Sequence, residues 1–296
     1  MRYSFALVQL DFFSPFSSVP WFAEHGRGNL APSPSTLIGA LAAVYYYPVE
    51  TEIPDEFLDK VRYVTFWVPP YTEVENVSRH FSGLSQRSQR LNVLSAANNI
   101  IVKGKVDDET LNILKNYARL DREIEMFKRG EISRKELVLS ATQILYQPAS
   151  RLEVYYWEPA YALYVVEESL AKYVGNIFRV GSKETLVAAT PLNVVKITPI
   201  GGEEKFHTRF YIPCRSLQMG CDACTGKGVV NYMATRPQSD PLTHEAEPYC
   251  LPLRSPMDSS WLSFYSSELV DGWKAVRILT SDGKQFDVVI PEDALA

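Results

Sequence analysis

The stretch NLAPSPSTLIGALAAVYYYPVE, residues 29–50, holds a short Pro/Ser run that leads directly into an apolar, small-residue segment. Ser33 is placed to cap a helix, and Pro34 suits its first position, where a missing N–H costs nothing. Leu37, Ile38, Ala40, Leu41, Ala42 and Val44 supply an apolar body, and Pro48 stops it. Gly39 is the odd residue, because a glycine inside a helix costs about 1 kcal/mol relative to alanine. Close helix–sheet packing or the close approach of a ligand backbone would justify it, with packing the expected reason.

Outward from this helix, strands flank it. Residues 2–10 alternate with Tyr3, Phe5 and Leu7 on one face and Ala6, Val8 and Leu10 on the other. Both faces are apolar, which suits a sheet covered on both sides. VRYVTFWVP (61–69) reads as a second strand. Further on, RLEVYYW (151–157) and AYALYVV (160–166) read as strands joined as a hairpin through Glu158 and Pro159. EESLAKYVGNIF (167–178) is a short helix with acids at its start, and TLVAATPLNVVKITPI (185–200) is strand. Strand–helix–strand twice over is the ferredoxin-like pattern, so the predicted class is α+β. A final hairpin, WKAVRIL and KQFDVVI, turns at Asp282–Gly283.

Two segments interrupt that frame. Residues 107–145 read as two helices broken near Gly130, with Leu111, Leu114, Leu120, Ile124 and Phe127 at helical spacing. Residues 214–260 are rich in Cys, Gly, Pro and Ser and read as a long loop without a core of its own. The predicted organisation is 1–105, the first half of the core with a basic loop; 106–148, a helical insertion; 149–213, the second half; 214–260, the Cys-rich loop; and 261–296, the closing hairpin.

The chain has 296 residues, 46% hydrophobic and 22% charged, with a formal net charge of −5. That balance excludes a bulk polyanion binder, so nucleic-acid contact needs a local patch. No apolar run reaches the ~18 residues of a membrane span. The amino terminus lacks a small-residue cleavage site, and a cytoplasmic location is expected.

A local patch exists. Asn76 to Val106 contains no acid and carries Arg79, Arg87, Arg90, Lys103 and Lys105, which leaves −10 on the rest. Arginine forks, amides and hydroxyls are what RNA phosphates and base edges accept. The start of the 29–50 helix, with Ser35 and Thr36, offers free N–H groups and hydroxyls to a phosphate; a plain capped core helix is the commoner use of such a start. Arg27 lies between two glycines in EHGRGN, and Arg179 and Lys183 flank Gly181 in a turn that could form an anion nest. Glu184 could pair with either cation instead.

The four cysteines, Cys214, Cys221, Cys224 and Cys250, fall within one stretch. Cys221-Asp-Ala-Cys224-Thr-Gly is similar to a zinc knuckle, and Cys214 and Cys250 would complete a structural zinc site. A clamped loop could present Arg215, Lys227, Arg236 and Arg254. A disulfide pair is the alternative.

The segment PSPSTLIGALA, with Pro32, Pro34, Ser35, Leu37, Gly39, Ala40 and Leu41, resembles the amino-terminal signature of the Cas-five family of CRISPR type I effector complexes (Cascade), within the RAMP superfamily, and most nearly the archaeal I-A kind. That family opens with a strand, a Ser-containing loop and this helix. FRVGSKETLV (178–187) is similar to its second signature, with Arg179, Gly181, Lys183, Glu184 and Leu186 matching; FYIP (210–213) also looks familiar. The resemblance implies a ferredoxin-like, RNA-recognition core that caps the complex. It implies a subunit that holds the 5′ handle of the guide RNA in antiviral defence. The implied partners are the backbone subunit and the large subunit, with target DNA reached indirectly. Most such subunits do not cut RNA. The alternative reading is a metal-independent ribonuclease that processes the guide precursor, built from His25, Tyr71, His80 and Lys183.

Overall fold

The computed structural model describes residues 3–17, 29–46, 53–80, 87–101, 104, 106–145, 148–181, 185–237, 246–255 and 258–295. The chain divides into two compact units, Met1–Val77 with Arg151–Ala296, and Ser78–Ser150.

The first unit is built on β1 (Tyr3–Phe12), α1 (Pro34–Tyr45), β2 (Val61–Trp67), β5 (Ala160–Glu167), α7 (Glu168–Ala171) and β6 (Val187–Leu192), with the one-turn α2 (Asp55–Leu58) ahead of β2. The sheet order is β2-β5-β1-β6, and every neighbouring pair is antiparallel. Each strand–helix–strand half therefore has a strand of the other half between its two strands, which is the ferredoxin-like arrangement. The alternation of β1 decides its packing. Val8 and Leu10 join α1's Leu37 and Leu41 on one side, while Leu7 joins Val276, Ile278 and Val288 on the other. β5 is buried over seven consecutive residues for the same reason: it is the strand covered on both faces.

The second cover is a sheet of β7 (Val194–Pro199), β15 (Trp273–Thr280) and β16 (Gln285–Pro291), ordered β16-β15-β7. The predicted strand 185–200 is thus two strands, broken at Asn193, that belong to different sheets. The open face that a bare ferredoxin-like sheet would offer to a ligand is closed by this layer.

The expected hairpin across Glu158–Pro159 does not form. β4 (Pro148–Tyr156) pairs with β3 (Thr72–His80), whereas β5 pairs with β1 and β2. Glu158–Pro159 is a corner between sheets, and the apolarity of β5 on both faces draws it into the sheet interior.

The second unit holds α3 (Arg87–Ile101), α4 (Asp108–Ala118), α5 (Asp121–Lys128) and α6 (Arg134–Leu145). The basic stretch expected as a loop is therefore largely helix. Val93, Ala96, Ala97 and Ile100, at i, i+3, i+4 and i+7, bury one face of α3 against Leu114, Ile124, Leu137 and Ala141. The predicted break is where expected, at Gly130 with φ +74°, and Arg119 makes another in the left-handed region.

The Cys-rich region also has more order than predicted. It contains β10 (Val229–Ala234), β11 (Ala246–Leu251), β12 (Leu253–Ser255) and β13 (Asp258–Ser259). β10 and β11 form a sheet with β9 (Ile212–Pro213), near a pair formed by β8 (Lys205–Thr208) and β14 (Leu262–Tyr265). Its core is Leu217, Cys224, Cys250, Leu262 and Phe264 with Phe206 and Ile212. Alternating pairs such as Phe206 and Phe264 supply apolar contacts that few-residue strands hide from a periodicity reading.

Candidate nucleic-acid interface

Ser33 caps α1 as expected: its Oγ accepts from the Thr36 N–H at 3.2 Å and lies 2.9 Å from Thr36 Oγ1. Ser33 and Pro34 are buried, while Ser35, Thr36 and Gly39 are half-exposed. Among the described residues, a Cβ added at Gly39 would meet no atom within 4 Å. Among the described residues, no close packing against the sheet accounts for this glycine, contrary to the expectation.

The second signature segment is held differently. Gly181 has φ +92°, and a Cβ there would fall 2.8 Å from the Phe16 ring and 3.0 Å from the Ser17 carbonyl. Arg179 forms an isolated bridge with Leu186, and the Val187 N–H donates to the Phe178 carbonyl at 3.0 Å. The Ser-containing loop that follows β1 meets this turn. Thr185 Oγ1 donates to the Pro15 carbonyl at 3.2 Å, and the Leu186 N–H donates to Ser14 Oγ at 3.1 Å. The Phe13 N–H donates to the Leu186 carbonyl at 3.0 Å.

These segments share one end of the core sheet. Phe12 is opposite Val187 and Leu10 is opposite Ala160, so β1 ends where β5 and β6 begin. Tyr156, whose ring lies 4.8 Å from that of Phe12, donates through its hydroxyl to the Leu30 carbonyl, just ahead of α1. Phe13 is 73% exposed there, and Phe178 and Leu186 are also exposed, beside the half-buried Arg179. Near the end of β2, exposed Trp157 stacks on Tyr155 at 14° and donates through Nε1 to Glu73 at 3.2 Å. Exposed aromatic faces and a guanidinium are groups on which unpaired bases and phosphates are held. The sequence reading missed Phe13, Phe178 and Trp157, because exposure of an aromatic is visible only once strand ends are placed.

The other predicted RNA-binding residues lie elsewhere. Arg79 is on β3, and Arg87 and Arg90 are in the first turn of α3; all three belong to the second unit. Arg27 and Lys183 lie outside the described residues. Of the groups named for a ribonuclease, His25 and Lys183 also lie outside them, His80 ends β3, and Tyr71 is exposed.

A polar cavity of about 670 Å³ opens in the first unit, lined by Arg62, Tyr63, Arg215, Arg236, Tyr249 and Trp273 among others. Arg215 pairs with Glu247 at 2.8 Å and lies over the Trp273 ring, and Arg62 pairs with Asp293. Burial pushes the Tyr63 and Tyr249 phenols up, so both stay neutral. Lys227 is held by Glu268 at 3.4 Å and sits over the Phe264 ring.

The cysteines are not arranged as the four-thiolate zinc site expected of them. Cys224 and Cys250 form a disulfide, while Cys214 and Cys221 are free thiols. Among the described residues, no three His, Cys, Asp or Glu side chains converge on one point as metal ligands. Two of the four sulfurs are committed to each other because β11 and the turn holding Cys224 pack in one cluster. Among the described residues, no helix is long and apolar enough to cross a membrane.

No protein-family model and no curated protein matches this chain. Among solved structures, the chain is similar to a CRISPR protein from Archaeoglobus fulgidus, with TM-score 0.47 and 13% identity over 97% of this chain and 99% of that one. It is also similar to a chain of the Type III-B Cmr-beta complex bound to cognate target RNA and AMPPnP, with TM-score 0.37 and 12% identity over 87% of this chain and 86% of that one.

Proposed function

We propose that this chain is a non-catalytic RNA-binding subunit of a CRISPR effector complex, and that it holds the 5′ handle of the guide RNA. The observation that carries the reading is the meeting of the loop after β1 with the second signature segment, about 170 residues further along the chain. The Ser-containing loop after β1 and the turn around Gly181 hydrogen-bond to each other at the sheet end where α1 begins. Around them stand Phe13, Phe178 and Arg179, which supply two stacking faces and one guanidinium. Ser35, Thr36 and the open backbone at Gly39 present hydroxyls and room for a phosphate. Arg79, Arg87 and Arg90, in the second unit, supply RNA-binding cations of their own. The remaining surfaces serve the backbone and large subunits of the complex, and target DNA is reached through the guide.

The test is titration with labelled repeat-derived RNA across a salt series. Phe13→Ala with Phe178→Ala removes two stacking faces and is expected to cost about 1–3 kcal/mol per base that loses its platform. Arg79→Ala, Arg87→Ala and Arg90→Ala together are expected to weaken binding and flatten the slope of log K against log salt by about one for each phosphate that is no longer neutralised. RNA that binds no better than an unrelated RNA of equal length ends the reading. RNA that returns cleaved supports the processing ribonuclease instead.

A further inference from the structure

β2 is the edge strand of the core sheet, with β5 along one side of it. Its other side is used over one half only. The Val68 N–H donates to the Arg209 carbonyl at 2.9 Å, and the Tyr211 N–H donates to the Phe66 carbonyl at 3.1 Å. Segment 209–211 therefore runs antiparallel along residues 66–68, with Phe210 opposite Trp67. It then changes sheets. Ile212 and Pro213 pair with Cys250 and Tyr249 of β11, and the chain turns away at Cys214–Ser216. The other half of β2, Val61–Val64, is left without a strand on that side among the described residues. All four of these residues line the polar cavity of about 670 Å³. In an antiparallel strand, alternate residues turn both main-chain groups to the same side. Phe66 and Val68 turn theirs to this side, so Val64 does so as well, along the edge that the cavity borders. Glu247 and Tyr249 of β11 line the same cavity. It is the wedge that opens where a strand leaves β2 for β11.

We propose that this wedge is a docking groove for an extended, acidic segment of a partner protein, which adds to Val61–Val64 as a strand and sets a carboxylate among Arg62, Arg215 and Arg236. An unpaired strand edge is a template for another chain, and main-chain hydrogen bonds supply the affinity of such an addition. Size narrows the occupant. The cavity holds roughly one turn of an α-helix, taking a diameter of 10–12 Å and a pitch of 5.4 Å, and a single turn does not hold itself together. A few residues of extended chain need no such length. Charge sets the chemistry. Arg62 pairs with Asp293, and Arg215 pairs with Glu247 at 2.8 Å. Arg236 is exposed and, among the described residues, makes no ion pair, so the lining carries one guanidinium in excess of its carboxylates. A guanidinium fork takes a carboxylate through two parallel hydrogen bonds. Glu247 and Asp293 stand in the same lining and repel a run of phosphates, which favours a peptide with an acid over a nucleic-acid strand. Tyr63 and Trp273, edge to face with centroids 5.8 Å apart, give apolar wall for the side chains between the acids. Binding here is independent of the RNA-binding reading.

The experiment pans the full chain against a phage-displayed library of random peptides. The enriched sequences are then made with a fluorescent label and their affinity is read by polarisation. Enriched peptides are expected to carry Asp or Glu. Arg236→Ala is expected to weaken them by about tenfold or more, as for a lost hydrogen bond to a charged group, and Arg236→Glu by more again. Arg236 is exposed, and an unchanged urea midpoint verifies that both variants are folded. N-methylation of the peptide, one residue at a time, separates strand addition from attraction of charge alone. It is expected to abolish binding at alternate positions and to be tolerated between them, because only every second residue turns its main chain toward β2. A library that yields no enriched peptide overturns the proposal. So do peptides that bind Arg236→Glu as tightly as the wild type, or an N-methyl series without alternation. Repeat-derived RNA that cross-links to Tyr63 or Trp273 under ultraviolet light would put nucleic acid in the wedge instead and overturn it too.

Discussion

Gly39 and Gly181 both fall in segments that carry the sequence signature, and their surroundings are opposite. Around Gly181 there is no room for a side chain: the Phe16 ring and the Ser17 carbonyl occupy the place of a Cβ, and φ is +92°. Around the Cβ position of Gly39 no atom of the described residues lies within 4 Å, and the backbone is ordinary helix. One glycine is required by the fold. The other weakens its helix by about 1 kcal/mol with no packing reason among the described residues. A glycine in a pattern marks a place where backbone matters, and only the neighbours say whether the fold or a ligand is the cause.

The comparison is broken most severely at Phe16. This ring is fully buried, its backbone exchanges hydrogen bonds with Val154 at 2.8 and 2.9 Å, and it packs near Tyr156. Phe16→Ala is expected to cost about 3–5 kcal/mol in urea unfolding, as for other buried aromatics. Gly181→Ala is expected to cost less, about 1–3 kcal/mol, from a left-handed conformation and a clash together. Part of that clash is with the Phe16 ring. The double variant is therefore expected to be more stable than the sum of the two costs implies, and strict additivity would show that the Phe16 part of the clash costs nothing.

How far the fold was legible follows from what each segment needs. The alternation of β1 and the caps of α1 are local, and both are in the structure as read. The register that sets β5 between β1 and β2 depends on residues about 100 to 160 positions apart, so Glu158–Pro159 reads as a hairpin turn when it is a corner. α3 escaped because its buried face is two alanines, a valine and an isoleucine set among Arg, Ser, Gln and Asn. Its polar majority suggests a loop, and the partners that bury the minority come from helices further along. At the candidate interface the signature residues are readable, whereas exposed Phe13 and Phe178 are indistinguishable in sequence from core aromatics. The cysteine spacing is compatible with metal or disulfide alike, and pairing depends on which strands meet.

The smallest expected effect is the most informative. Gly39→Ala adds a methyl group on the half-exposed side of α1, where no atom of the described residues is displaced and the dihedral angles are those alanine prefers. It is expected to raise stability by about 0.5–1 kcal/mol, read as a higher urea midpoint with an unchanged slope. The same methyl would stand between the helix backbone and any nucleotide that approaches Ser35 and Thr36. If RNA lies along this face, Gly39→Ala gives a protein that is more stable and binds the guide handle more weakly. A packing role predicts the reverse on the first count, with reduced stability. A variant that gains stability and binds repeat RNA with unchanged affinity and salt slope would move the RNA path off α1, toward Phe13, Phe178 and Arg179.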